Sequence, residues 1–242
     1  MKRFSKFFLT GMLAMVLVFG LVLAGCKSDD GGGGGDAGGN LGTELKLEGK
    51  VYTADWTGEQ PKYEIYAPTT PVTVTGRNGA GTTIGTGAIS SSGDLTFNIT
   101  SAPANANLIA VSGIMQSGSS GFLSTTHYNT AEFTPTGVQG LWLSLSTGTG
   151  SNQLFREGFS GSMTSATQDN IYFIYVAADV RIIAVGKDGV QSQGSTVNNG
   201  DVDLSLKQGW NAIRERKSVS GTTMTRTLSV TTSGVDLRWI RQ

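Results

Sequence analysis

The chain has 242 residues, with 18 basic and 18 acidic side chains, 35 glycines, one cysteine and one histidine. These single copies exclude a disulfide framework, a Cys/His zinc site and a Cys–His catalytic pair. Lys2, Arg3 and Lys6 lie in a segment predicted to be removed, so the mature chain would carry 15 basic and 18 acidic residues, a formal charge of −3. Proteins that bind nucleic acid usually carry an excess of basic residues, which this mature chain would not have. Nucleic acid is therefore not an expected partner.

The N-terminus has the organisation of an export signal. Its basic start is followed by residues 7–23, which carry no charge and are mostly large and apolar, and then by Leu23-Ala24-Gly25-Cys26. A basic start, an apolar run and a small-residue exit are typical of a secretory signal. An uncleaved transmembrane helix is the alternative, but this uncharged run is near the lower length limit for a span. A membrane helix also does not require two small residues directly before a cysteine.

Residues 23–26 resemble the lipobox of bacterial lipoproteins, and the resemblance covers residues 1–26. It implies a signal peptide at 1–25, cleavage before Cys26, a diacylglyceryl group on the Cys26 sulfur and a fatty acid such as palmitate on the new amine. Two or more acyl chains hold a protein stably on a membrane. Lys27, rather than an aspartate, follows the cysteine. In enteric-type bacteria this resembles the default route to the outer membrane, so we expect an extracytoplasmic, lipid-anchored protein there.

Residues 26–43 are predicted to form a tether that begins with the lipidated cysteine. Residues 27–43 read KSDDGGGGGDAGGNLGT, a composition that offers nothing to bury. A glycine-rich coil of this length has an r.m.s. span of roughly 20–25 Å. A phosphate-binding loop is the competing reading of a glycine run, but no strand precedes this one and no Gly-Lys-Ser/Thr closes it.

From Glu44 onward the pattern alternates between apolar and polar residues, as expected for strands. Residues 171–176 are continuously apolar or aromatic, which predicts a central strand covered on both faces. Asn199-Gly200 is typical of a type I′ hairpin turn, and residues 113–130 are predicted to be a long loop. The predicted strands lie at 45–52, 71–76, 87–90, 95–99, 141–145, 171–176, 180–185, 202–206, 210–213, 227–231 and 235–240.

Short strands with frequent turns predict an all-β fold, an antiparallel sandwich or barrel. We expect one large or two small sandwiches of immunoglobulin-like or transthyretin-like type. The N-terminal region would span 44–134 and the C-terminal region 135–242, and the second region could join the first in one sandwich.

Three segments in the N-terminal region, 49–51, 72–74 and 93–99, read Gly-x-Val, Val-x-Val and Gly-x-Leu-x-Phe-x-Ile in that order. Residues 45–111 therefore resemble the transthyretin-like, carboxypeptidase-regulatory modules. The insertion at 54–70 is longer than usual in that family, and its later Pro-Gly-x-Tyr element is missing. The resemblance implies a non-catalytic accessory fold.

Side chains that could carry chemistry are few. His127 lies in a Ser/Thr-rich segment without a recognisable nucleophile motif, so a loop or edge-strand histidine is the expected reading. Asp201 and Asp203 are the candidate metal ligands, because their spacing on a strand would put both carboxylates on one face for calcium. A solvated strand face beside a turn is the alternative, and no EF-hand loop supports calcium. No cofactor is expected.

The aromatic residues are the better candidates for binding. The four tryptophans with Tyr63, Tyr66 and Tyr128 could form a platform for carbohydrate or peptide, since aromatic rings give large contact area at low entropic cost. Trp210 follows a turn and begins a strand, and Trp239 alternates with Leu237, so both are predicted to be core. The first choice for an exposed ligand surface is therefore Trp56 with Tyr63 and Tyr66, in the irregular segment 54–70.

These patterns together predict a lipid-anchored envelope lipoprotein that is not an enzyme and acts through interaction. The expected partners are the membrane, through the acyl chains, and an envelope protein, a glycan or a host molecule. An envelope enzyme or solute-handling protein with an unrecognised cleft is the first alternative, and a structural subunit of a surface layer is the second.

Overall fold

The computed structural model describes residues 39–57, 60–116, 122–148, 152–162, 165–192, 195–230 and 237–242. The predicted signal peptide, the lipidation site Cys26 and most of the predicted tether lie outside the described residues. No helix within the described ranges is long and apolar enough to cross a membrane.

Nearly all regular structure in these ranges is β-strand, which confirms the all-β prediction. The two short exceptions are a 3-10 helix at Asn105–Asn107 and the α-helix α1 at Val111–Gln116. The strands are Asn40–Gly42 (β1), Leu45–Asp55 (β2), Lys62–Ile65 (β3), Val72–Arg77 (β4), Thr83–Ile89 (β5), Asp94–Ile99 (β6), Ile109–Ala110 (β7), Tyr128–Thr134 (β8), Gln139–Thr147 (β9), Asn152–Ser162 (β10), Ser165–Val176 (β11), Val180–Gly186 (β12), Val190–Ser192 (β13), Ser195–Asn199 (β14), Val202–Leu206 (β15), Gly209–Ser220 (β16), Thr223–Ser229 (β17) and Arg238–Arg241 (β18).

The larger sheet closes on itself. Neighbouring strands pair in the order β9, β4, β5, β6, β2, β18, β10 and β11, and β11 pairs back with β9 through Phe173↔Leu143. The result is a barrel of eight strands, so the sandwich prediction is not confirmed. Strands β2, β4, β5 and β6 come from the region 44–134 and the other four from 135–242. Both predicted regions therefore build the same barrel.

The barrel interior is filled by the apolar half of the alternating strands. Leu95, Phe97 and Ile99 are buried, while the residues between them are exposed, as the period-two pattern predicts. Phe97 packs against two glycines. A β-carbon at Gly76 would come within 2.5 Å of the Phe97 ring, and one at Gly85 within 2.9 Å. Glycine at these positions makes room for the large ring in the core.

Strand β11 belongs to two hydrophobic cores, which confirms the prediction that both of its faces are covered. Its residues Ile171, Phe173 and Tyr175 point into the barrel core. Ile174 and Val176, on the opposite face, belong to the second core. A strand with apolar residues at every position can bury both faces, because successive side chains alternate.

The second core lies between an extension of the large sheet and a separate small sheet. Beyond β11 the large sheet continues through β16, β17, β14 and β13. The small sheet has three strands in the order β15, β12, β8. Val202, Leu204 and Leu206 of β15 are buried in this core and Asp203 and Ser205 are exposed, as predicted.

The predicted hairpin at Asn199-Gly200 is wrong. Strand β14 before it belongs to the large sheet and β15 after it to the small sheet, so the two do not pair. The turn residues are held by distant strands instead. Asn199 donates from its backbone and side-chain nitrogens to the Lys187 carbonyl oxygen, and Gly200 donates to the Arg226 carbonyl oxygen. These long-range contacts outweigh the local turn preference.

The C-terminal end of the predicted tether, residues 39–43, belongs to the folded part of the chain. Strand β1 pairs with β16 through Asn40↔Asn211 and Gly42↔Trp210. The Ala212 amide donates to the Gly39 carbonyl oxygen at 2.8 Å. Backbone pairing needs no large side chain, so a glycine-rich segment can join a sheet. Residues 39–43 are therefore part of the fold.

The predicted long loop at 113–130 is also partly wrong. Helix α1 covers its beginning and β8 its end. Val111 and Met115 of α1 are buried in the second core, four residues apart on one helix face. A single turn of this kind leaves too short a pattern to predict a helix from the sequence.

Candidate functional site

A cleft with a volume of about 1010 Å³ opens where the barrel meets the extended part of the sheet. Its lining comes from the turn between β4 and β5, from the 3-10 helix, from α1, from the segment before β8 and from strands β7, β9, β10, β11, β13, β14, β16 and β17. The six side chains that give it its chemical character are called the cleft residues: Phe122, Trp142, Tyr172, Glu215, Lys217 and Arg226.

Three of the cleft residues form an aromatic wall. The ring centroids of Phe122 lie 4.6 Å from those of both Trp142 and Tyr172, and Trp142 and Tyr172 are 5.0 Å apart. The β9–β11 register pairs Trp142 with Ile174, so Tyr172 is its diagonal neighbour on the same face. Phe122 is buried, while Trp142 and Tyr172 are half-buried. The latter two can therefore contact both the protein core and a ligand.

The other three cleft residues form an ion-paired base. Strands β16 and β17 pair Lys217 with Arg226, and Glu215 lies two positions from Lys217 on the same face. Arg226 Nε donates to Glu215 Oε1, and Lys217 Nζ lies 3.2 Å from Glu215 Oε2. The Tyr172 hydroxyl donates to Glu215 Oε2 at 3.0 Å. Two cations and one anion leave this base with a positive charge.

The protonation states follow from this arrangement. Burial alone would raise the pKa of Glu215, but Arg226 and Lys217 outweigh it and hold the pKa below its usual value. Glu215 is therefore ionised at neutral pH. Burial and the neighbouring Glu215 carboxylate raise the pKa of Tyr172 far above its usual value. Tyr172 is a permanent hydrogen-bond donor to Glu215.

His127 lines the same cleft. Its backbone is fixed by a turn, in which the His127 amide donates to the Ser124 carbonyl oxygen at 2.9 Å, and by Lys187, whose amide donates to the His127 carbonyl oxygen. Its Nδ1 atom is buried and has no partner within the described ranges. Burial, and then the positive charge of Arg226, lower the pKa of His127, so its imidazole is neutral at pH 7.

This set of groups is suited to holding a ligand more than to moving a proton. Glu215 is the carboxylate in the lining, and it is ionised and bonded to Arg226, Lys217 and Tyr172, so it is a poor general acid. The Ser124 hydroxyl near His127 in sequence is buried and makes no hydrogen bond to the imidazole. A serine nucleophile and its base must be in hydrogen-bond contact.

The predicted ligand surface lies elsewhere. Trp56 is 42% exposed and packs edge-on against Phe159 at 5.4 Å. The Arg238 guanidinium lies 4.8 Å from the Tyr63 ring centroid, and Arg241 covers Tyr66 at 4.5 Å. None of Trp56, Tyr63 and Tyr66 lines the cleft. Their role as a ligand surface stays a prediction.

The two candidate calcium ligands have protein partners. Asp203 accepts hydrogen bonds of 2.9 and 2.7 Å from Arg181, and Asp201 accepts one of 2.9 Å from the Gly186 amide. The Arg181 contacts lower the pKa of Asp203. In the part of the chain that the structure describes, no three His, Cys, Asp or Glu side chains are grouped so that they could hold a metal ion.

Most of the cleft residues were not singled out from the sequence. Trp142 is one of the aromatic candidates, but the sequence pattern places Tyr172 in a strand core and Glu215, Lys217 and Arg226 in no site. A usable pattern was present in β16, where Ile213, Glu215 and Lys217 share one face. A charge that follows a buried apolar residue on the same strand face indicates the edge of a core.

Comparison with known proteins gives no relative. No protein-family model matches the chain, and no curated protein or solved structure shows significant similarity to it. The cleft and the N-terminal sequence are therefore the two features of the chain that bear on its function.

Proposed function

We propose that the protein is a lipid-anchored bacterial envelope lipoprotein whose folded part binds a ligand in the cleft without reacting with it. The observation that carries the binding role is the cleft, which combines an aromatic wall with an ion-paired base in about 1010 Å³. Ligand sites in proteins are concave, mostly apolar or aromatic, and contain a few placed polar groups. The cleft is concave and places aromatic and aliphatic side chains beside polar and charged ones, and polar residues form a larger share of its lining than in a mostly apolar site.

The anchor is supported by the sequence before the fold. The basic residues at the start, the apolar run and Leu23-Ala24-Gly25-Cys26 make up a lipoprotein signal, which would leave Cys26 as the acylated first residue. The membrane is then the first partner, through the acyl chains. Lys27 after the cysteine favours the outer membrane over the cytoplasmic membrane.

An envelope enzyme is the second candidate, because a neutral His127 lines the cleft with an unpartnered buried nitrogen in the described part of the chain. The binding role is favoured over catalysis because Glu215 is already bonded to three donors. A hydrolase would need a nucleophile or a general acid in contact with that histidine.

The anchor is tested by mass spectrometry of the protein purified from bacterial membranes. We expect a first residue Cys26 that carries acyl chains, and a Cys26→Ser variant that remains unprocessed and carries none. An unacylated N-terminus at any other residue contradicts the lipoprotein assignment.

The binding role is tested by thermal unfolding of the full chain in detergent, with and without fractions of envelope extract. At least one fraction should raise the midpoint of the wild-type protein and leave the Trp142→Ala midpoint unchanged. Trp56→Ala is the matched control, since Trp56 is an exposed tryptophan outside the cleft. If Trp56→Ala loses the shift and Trp142→Ala keeps it, the ligand binds at Trp56, Tyr63 and Tyr66. If no fraction shifts the wild type, the binding role is wrong and the structural role gains support.

A further inference from the structure

We infer that the ligand of the cleft is an acidic oligosaccharide, a chain of sugar rings of which at least one carries a carboxylate. This inference rests on the proposed binding function and adds the chemical class of the ligand. It follows from the charge of the cleft, from its aromatic wall, and from its size and the further polar residues in its lining.

The charge of the cleft favours an anion. Lys217, Arg226 and Glu215 are the charged side chains of the lining, with a net charge of +1, and His127 is neutral at pH 7. The mature chain as a whole is predicted to carry −3. The positive base is therefore a local feature that the composition does not explain.

Arg226 and Lys217, the two cations of the cleft, are also suited to binding a carboxylate. Arg226 donates Nε to Glu215 and Nη1 to the Phe122 carbonyl oxygen, and these contacts hold the guanidinium in place. They use two of the five N–H groups that a guanidinium carries. Lys217 is half-buried beside it, and its ammonium group lies 3.2 Å from Glu215 Oε2. A fixed arginine with a lysine next to it is a common way to bind a carboxylate.

The aromatic wall favours sugar rings next to that carboxylate. Trp142 and Tyr172 are half-buried, and the face of an aromatic ring carries partial negative charge. The C–H groups on one side of a sugar ring carry partial positive charge and form a flat apolar surface of similar size. Trp142 and Tyr172 lie on the same face as the cationic base, so a ring and its carboxylate can be held together.

The size of the cleft and the polar residues in its lining favour an oligosaccharide over a single aromatic acid. The volume of about 1010 Å³ is at the upper end of the range for small-molecule sites, and one ring would leave most of it unfilled. Asn107, Gln153 and His127 are also among the residues that line the cleft, and each has a side chain with both donor and acceptor capacity. These groups can donate to and accept from hydroxyls, which a sugar chain has on every ring and an aromatic acid lacks.

The test is isothermal titration of the full chain in detergent with two probes of equal length. One is a tetrasaccharide of galacturonic acid, and the other is the neutral tetrasaccharide of glucose. We expect the acidic probe to bind at least tenfold more tightly than the neutral one. Its affinity should fall as the salt concentration rises, because salt screens the attraction between the free probe and the half-buried Lys217.

Three variants assign the binding to the cleft. Lys217→Gln should lower the affinity for the acidic probe about tenfold and leave any affinity for the neutral probe unchanged. Trp142→Ala should lower the affinity for both probes, and Trp142→Phe should keep most of the affinity. Lys46→Gln is the control for Lys217→Gln, because Lys46 is an exposed, ion-paired lysine on β2 outside the cleft. Urea unfolding of each variant shows whether its fold is intact.

The outcomes separate this inference from the proposed function. If the neutral probe binds as tightly as the acidic one and Trp142→Ala abolishes both, the ligand class is wrong and the binding role stands. If an envelope fraction stabilises the wild type through Trp142 but neither tetrasaccharide binds, the inference is also overturned. If Lys46→Gln weakens the acidic probe as much as Lys217→Gln does, the binding is non-specific and the cleft is not its site.

Discussion

Tyr172 donates a hydrogen bond of 3.0 Å from its hydroxyl to Glu215 Oε2, and this bond joins the aromatic wall of the cleft to its ion-paired base. The two residues come from neighbouring strands, β11 and β16. Glu215 is 3% exposed and Arg226 is 8% exposed, so the charges of the base are held largely away from water. The shape and the charge of the cleft therefore depend on the same carboxylate.

Replacement of Glu215 by glutamine should destabilise the protein strongly. The substitution leaves Arg226 buried without its anionic partner, and removal of one member of a buried ion pair costs about 3–5 kcal/mol. The measurement is the free energy of unfolding in urea, followed by tryptophan fluorescence. The control is Asp203→Asn, which breaks the exposed Arg181–Asp203 pair and should change the stability little. Equal effects of the two substitutions contradict the structural role of Glu215.

The extent to which the fold follows from the sequence is clearest in β11 and β15. Residues 171–176 predicted a strand covered on both faces, and the alternation at 202–206 predicted one buried face. Both predictions are confirmed, because each depends on the direction in which successive side chains point. Local pattern determines which residues of a strand are buried.

Which strands pair with each other does not follow from local pattern. The turn at Asn199-Gly200 reads as a hairpin, yet β14 pairs in parallel with β17 and β15 pairs with β12. Closure of the barrel likewise depends on the pairing of β18 with β2, strands that lie at opposite ends of the described chain. The cleft residues come from five separate segments, so their proximity is a result of these pairings and could not be predicted.

Packing around Phe97 gives a second prediction. Gly76→Ala should destabilise the protein by about 1–3 kcal/mol, since its β-carbon would lie 2.5 Å from the Phe97 ring and overpack the core. Phe97→Leu alone should also destabilise, because it leaves a cavity. The double variant should lose less stability than the sum of the two, since the smaller leucine makes room for the new methyl group.

The control for this pair is Gly79→Ala, in the turn after β4, where a β-carbon would contact nothing within 4 Å. Its free energy of unfolding should stay close to that of the wild type. Strict additivity of Gly76→Ala and Phe97→Leu in urea unfolding contradicts the predicted contact.

Glu157 gives a prediction of pH dependence. Its side chain is 3% exposed, and burial raises its pKa, which a hydrogen bond from Gln168 only partly offsets. The folded protein thus holds the Glu157 proton more tightly than the unfolded chain does. Its contribution to stability is fully present below the usual glutamate pKa and is lost as the pH rises through the raised value.

Glu157→Gln should remove this loss, because glutamine is uncharged and of the same shape. The variant should be more stable than the wild type at pH 7, and the difference should shrink toward pH 4. Urea unfolding at intervals between pH 4 and pH 8 measures it. A variant that is less stable than the wild type at pH 7 means that the Glu157 carboxylate has a stabilising partner.

His127 gives a dependence of stability on pH that is opposite to that of Glu157, because burial lowers the pKa of a histidine and raises that of a glutamate. Burial, and then Arg226, lower its pKa from the usual value near 6.5, with smaller effects of Lys187 and Lys217 in the same direction and of Glu215 against them. As the pH falls below 6.5 the unfolded chain therefore takes up the proton first. Stability should decrease over that range until the pH reaches the lowered pKa of the folded state.

His127→Gln should remove this part of the pH dependence, since glutamine does not titrate. The test compares the urea midpoints of wild type and variant at pH 8, 7, 6 and 5, where the carboxylate contributions are common to both proteins and cancel in the difference. The wild type should lose stability relative to the variant between pH 7 and pH 5. Parallel curves would mean that His127 reaches water freely in the folded protein. A wild type that gains relative stability in acid would mean that an anion near His127 binds its protonated form, in which case the cleft is less positive than its lining indicates.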